Sequence, residues 1–225
     1  MRCLLVILFA LGAQAAWAED IVDVLERSQQ VRLDALEPAP ADSPRAQAVR
    51  ASFDMLVRAL DLRQPAGQSE VELRVTRGGA LAETLRGHVV IANEVIGDWA
   101  ETDRLFVLAH ELGHVRLGHW SQMGLMFQKW VPGMVTPQQT NAVAALLGRD
   151  ASVLSYQQEF EADAFAAQTL QAMGLSQQDV ISVFMHLGVN MDTATHPGTQ
   201  RRIASLRAGG IKLPAASEPS QNEQR

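Results

Sequence analysis

The sequence predicts an α+β fold that is mostly α, with a small β-sheet packed just before one central helix. Three observations predict it. Apolar residues recur at helical spacing through most of the chain, and several of these runs open on capping residues, at Ser43-Pro44, Thr136-Pro137 and Ser176-x-x-Asp179. Only two stretches read as strands: 71–75, which alternates apolar and polar residues, and 88–92, a short apolar run. The helix expected after them carries His110-Glu111-Leu112-Gly113-His114. Residues four apart on a helix lie about 40° apart around its axis, so the two histidines share a face, while Leu105, Leu108, Leu112 and Val115 gather on the opposite one.

Length and composition bound the rest. The chain has 225 residues and is 47% hydrophobic, enough for one well-buried domain. Residues 1–18 read as a signal peptide: Arg2, an apolar run over 4–11, then Ala16-Trp17-Ala18 as a cleavage site. That reading places the protein in the periplasm. Cleavage would remove the only cysteine, Cys3, and one of the 19 basic residues, leaving 18 against 25 acidic ones and a net charge of −7. Stability must then come from packing or a metal rather than disulfides. The mild acidity argues against nucleic-acid binding.

In chain order, 20–36 reads as a helix and 37–44, rich in Pro and Ala, as a linker. Segment 19–44 is thereby set apart from a domain over 45–208. A helix follows from Ser43-Pro44 to about Leu62, and Arg77-Gly78-Gly79 forms a turn. The histidine helix is expected to be capped by Asp98 or Thr102 and to run to about Trp120. Segment 121–135 mixes Met, Leu, Phe and Trp with Gly124, Pro132 and Gly133; it reads as a packing connector, with a lid beside the site as the alternative. One helix is expected from Thr136 to Gly148, another over 152–173, a third from Ser176 to about Leu187, and a last from His196-Pro197 to about Arg207. Residues 209–225 read as a disordered tail.

The chemistry lies in the histidine helix. His110 and His114 can close on one metal ion, with Glu111 at the edge of that face, within reach of water. A catalytic metal needs a third protein ligand. His119 would fall on the leucine side of an unbroken helix and reads as packed. Glu159 and Asp163, one turn apart among Phe160, Ala162 and Phe165, offer a buried carboxylate pair: Glu159 as ligand, Asp163 as acceptor from a ligand histidine. Glu161 points away from both.

These pieces, with Thr195-His196-Pro197 and Arg202-Ile203, resemble the HtpX/BepA-like and CAAX-prenyl-protease-like zinc metallopeptidases, a gluzincin family, over roughly 71–206. The resemblance implies a zincin-like metalloprotease domain and one zinc ion on His110, His114 and Glu159. It also implies His196 near the zinc and substrate paired to the edge of the strand before the metal helix. The Asn-Ala-Phe-Ala segment of many members is not evident, and Tyr156-Gln157-Gln158 stands where an Arg is common. No membrane helices or tetratricopeptide-like region follow.

The expected function is a zinc-dependent endopeptidase of the bacterial cell envelope, acting in protein quality control. Glu111 is its general base, His196 a catalytic or inhibitory residue, and Arg202 an anchor for substrate, oxyanion or a carboxylate. Expected partners are protein or peptide substrates, with peripheral contact to a membrane or outer-membrane proteins. The rivals are a zinc-binding chaperone or adaptor with little turnover, against which Glu111 argues, and a helical protein without metal.

Overall fold

The computed structural model describes residues 19–60, 71–188 and 190–209. The signal reading over 1–18 and nearly all of the tail reading lie outside them. Helix α1 (Ile21–Asp34) starts at Asp20, whose carboxylate accepts from the Val22 and Asp23 amides in a capping box. Strand β1 (Glu37–Pro38) pairs antiparallel with β2 (Glu72–Arg77), so the Pro-rich stretch read as a linker contributes to the sheet. Helix α2 (Pro44–Ala59) begins as expected, with Ser43 at the N-cap and Pro44 at the first turn.

The sheet has four strands in the order β1-β2-β4-β3. Strand β4 (Val89–Asn93) runs parallel to β2, and β3 (Ala82–Leu85), which the sequence pattern did not reveal, pairs antiparallel with β4. The β3–β4 turn places Arg86 and Gly87 at φ 52° and 72°. At Gly87 a Cβ would lie 2.9 Å from that of Trp120, so only glycine lets the two approach.

A 3-10 turn over Glu94–Asp98 leads into α3 (Glu101–Arg116), the histidine helix. The expected cap is not made: Ala100 occupies the N-cap with no side-chain bond, and Asp98 instead pairs with Arg45 at 2.6 Å. Leu105, Leu108 and Leu112 are buried as their spacing requires, in a core shared with Val90, Ile96 and Phe184. The helix also stops earlier than Trp120, because Gly118 turns the chain at φ 68°. Helix α4 (His119–Trp130) then starts in a new direction and packs on α1, so the segment read as a packing connector is helical up to Trp130.

Thr136 caps α5 (Pro137–Ala172), one continuous helix of 36 residues rather than two. Gly148 does not end it; a helical glycine costs only about 1 kcal/mol relative to alanine. Helix α5 crosses α3 at close range: a Cβ on Gly113 would lie 3.2 Å from the Cα of Ala162. Helix α6 (Gln177–His186) opens on the expected Ser176–Asp179 capping box. Helix α7 (Thr199–Arg207) starts later than expected, with Gly198 rather than His196 at its N-cap. Asp192 accepts from the Gly198 amide and Thr199 Oγ1 accepts from that of Asn190, which fixes the start there. Among the described residues no helix is long and apolar enough to cross a membrane.

Candidate metal centre

The crossing of α3 and α5 assembles the site. The Gly113–Ala162 contact brings the histidine face of α3 against the acidic turn of α5. His110 Nε2 and His114 Nε2 are 3.1 Å apart, His114 Nε2 lies 3.4 Å from Glu159 Oε1, and His110 Nε2 lies 3.6 Å from Glu159 Oε2. A tetrahedral zinc ion with N and O ligands at about 2.0–2.1 Å sets its donors about 3.3–3.4 Å apart. The triangle matches that edge. Glu159 Oε2 is buried and has no hydrogen-bond partner, an orphan acceptor that a cation would satisfy. Among the described residues these three are the group able to hold a metal.

The carboxylate is held ready. Burial opposes ionisation of Glu159, but the bond with His114 and the charges of His110, His114 and Arg202 outweigh it and pull its pKa down to about 2. His110 Nδ1 meets Asp163 Oδ1 at 2.9 Å. Asp163 is 0% exposed and in turn takes both a guanidinium Nε–H at 2.7 Å and an Nη2–H from Arg202. Burial pushes Asp163 up, and Arg202 and His110 outweigh it and hold the carboxyl below its ordinary value. With Nδ1 of His110 bonded to a carboxylate, its Nε2 lone pair is left for the metal. The structure thus places Arg202 on a carboxylate of the protein, bidentately, rather than leaving both arms for substrate.

Glu111 lines a cleft of about 560 Å³ together with His110, His114, Glu159, His196 and Arg202. Its Oε2 accepts from the hydroxyl of Thr84 at 2.8 Å. Thr84 sits on β3, which among the described residues pairs only with β4 and brings Ala82 and Glu83 to the cleft as well. Sequence reasoning missed Thr84, and a threonine in an unrecognised strand carries no signal that could have found it. It also missed Gln29 and Arg32 of α1, which line the cleft from outside the 45–208 segment.

His196 lies in the loop before α7, with Nε2 3.7 Å from Glu159 Oε1 and Nδ1 on the Thr195 hydroxyl at 2.8 Å. Its side chain is 63% exposed. Ser152 and Tyr156 of α5 donate to the Ala194 and Thr193 carbonyls and tie that loop down. His119 is packed, as expected, but not on the leucine side. The break at Gly118 returns its ring to His114, Nδ1 to Nδ1 at 2.8 Å. Burial, then the charges of His114 and His110, lower its pKa to about 3. His186 pairs with Asp103 and His88 with the Arg86 carbonyl, and neither belongs to the His110–His114–Glu159 group.

No curated protein matches the chain. The sequence model of peptidase family M48 matches residues 45–209, well over half of the 225. The chain belongs to that family: it is a metallopeptidase that takes zinc and acts on protein or peptide substrates.

Proposed function

We propose that this M48 metallopeptidase is an HtpX/BepA-like endopeptidase of the bacterial cell envelope that cuts extended segments of unfolded polypeptide. The observation that carries the endopeptidase reading is the run of the cleft along the unpaired side of β3, directly beside Glu111 and the His110–His114–Glu159 triangle. A strand edge binds main chain and so accepts segments of varied sequence, which suits a quality-control substrate. The signal reading of 1–18 supports export to the periplasm, where peripheral contact with a membrane or with outer-membrane proteins would supply such substrates.

His110, His114 and Glu159 would hold the zinc, which when bound would supply Lewis acidity to water and to the scissile carbonyl. Glu111 takes the proton of the attacking water at its carboxylate and delivers it to the leaving amide nitrogen. The Thr84 hydroxyl holds that carboxylate against β3, on the side from which substrate main chain arrives. His196, whose Nε2 faces Glu159, is placed to donate to the developing oxyanion.

The test is cleavage of casein and of an unfolded envelope protein by the purified mature chain, with and without chelator, and with Glu111→Gln as control. Chelator-sensitive internal cuts are expected. Release of single terminal residues only, or equal activity in Glu111→Gln, would refute the endopeptidase reading. Amino-terminal sequencing of the exported protein should begin at Glu19, and retention of the mature protein in the cytoplasm would overturn the envelope assignment.

A further inference from the structure

The two metal histidines of α3 differ in what stands behind them. Behind His110 is Asp163, itself fixed by Arg202. Behind His114 no carboxylate of the described residues is in direct contact; its Nδ1 meets the Nδ1 of another histidine, His119, at 2.8 Å. His119 is 3% exposed, its ring stands edge-on to that of His114 with centroids 4.9 Å apart, and its carbonyl accepts from Gln158 of α5 at 3.1 Å. Its other ring nitrogen, Nε2, meets Glu161 Oε2 at 3.1 Å, and Glu161 Oε1 accepts from Gln157 at 2.8 Å.

We infer that His119 and Glu161 form a positioning relay that fixes the tautomer and orientation of His114 for zinc. The inference rests on the metal reading of the site. Proton counting supports it. His114 turns Nε2 to the metal triangle, so that nitrogen must offer a lone pair and the ring proton must sit on Nδ1. It donates to His119 Nδ1, which must then be bare. The proton of neutral His119 therefore sits on Nε2 and is donated to Glu161. Each link holds one proton, and no donor faces a donor.

The reverse arrangement would put a proton on His114 Nε2 and close it to metal. Glu161 thus has a use although it faces away from the ion. The acidic turn of α5 carries three carboxylates with three tasks: Glu159 on the metal, Asp163 behind His110 and Glu161 behind His119. The break at Gly118 makes this possible, because an unbroken helix would carry the His119 ring to the far side of α3.

Zinc affinity measured by competition with a chromophoric chelator tests the relay in His119→Phe, His119→Gln and Glu161→Ala. Loss of a partner behind a metal histidine typically costs about 10- to 100-fold in affinity. H119F should weaken zinc binding by that factor. H119Q should recover most of it, since its amide oxygen accepts from His114 and its N–H donates to Glu161 across a similar span. Glu161→Ala, at a side chain 17% exposed, should lose several-fold and keeps the test alive if H119F does not fold. In the zinc-loaded protein, ring-nitrogen NMR should find the His114 Nδ1 proton hydrogen-bonded and slow to exchange in wild type and fast-exchanging in H119F. Wild-type affinity in a folded H119F, or equal losses in H119F and H119Q, would overturn the relay. A wild-type protein that binds no zinc would instead overturn the metal reading beneath it.

Discussion

Replacing Arg202 by methionine should destabilise the zinc-free protein by about 3–5 kcal/mol near neutral pH, the usual cost of removing one partner from a buried ion pair. Asp163 is 0% exposed, and among the described residues its oxygens are held by Arg202 and His110. Methionine restores much of the buried stem of the arginine but leaves Oδ2 without a donor. The pH dependence has a definite sign. A carboxyl held below its ordinary value of 3.8 adds stability that is present above that pH and fades as pH falls through the folded-state value. R202M forfeits this stability above pH 3.8, so the gap from wild type should narrow in acid. Against a total stability of about 5–15 kcal/mol the loss is large, and at about 2–4 °C per kcal/mol it lowers Tm by roughly 6–20 °C. Urea unfolding followed by circular dichroism in chelator, at pH 7 and in mild acid, measures it. The double variant R202M/D163N should recover most of the loss, since no bare charge remains buried. A loss under about 1 kcal/mol at pH 7, or a double variant less stable than R202M, would refute the account.

Glu111→Gln should keep zinc and fold while losing on the order of 100-fold or more in turnover, the share of general acid–base transfer; activity within threefold of wild type would remove Glu111 from the mechanism. Thr84→Val, which deletes the hydroxyl on that carboxylate, should cost about tenfold in kcat, or ~1.4 kcal/mol, with zinc affinity unchanged; an unaltered kcat would count against it. Glu159→Ala should abolish stoichiometric zinc on elemental analysis, and retained zinc would show that the third ligand lies elsewhere. His196→Ala should lower turnover at constant metal content. A rise in basal proteolysis would instead make His196 an inhibitor at rest, and unchanged kinetics would leave it a loop residue.

How much of this the sequence disclosed depends on how local each relation is. His110, Glu111 and His114 occupy one turn, as do Glu159 and Asp163, and helical geometry alone places each set on one face. Their meeting depends on how closely α3 and α5 cross, which Gly113 permits and no periodicity announces. His119 was misplaced because a helix extended through Gly118 sends it to the wrong side, although that glycine was the available stop signal. Gly148 misled in the opposite direction, its modest cost being absorbed within α5. Thr84 depends on the β3–β4 register, and the reach of His196 on a loop tied down by Ser152 and Tyr156; neither follows from neighbours in sequence.

Arg202 stands 92 residues after His110. On the ribosome, both metal histidines, Glu111 and Glu159 are therefore made well before it. Until α7 emerges, Asp163 has no guanidinium to meet, and closing α5 onto α3 would bury a bare carboxylate at a cost of several kcal/mol. A chain that ends before α7 is therefore expected to bring its zinc ligands together only at that cost, so the last helix of the domain completes a site whose ligands all precede it.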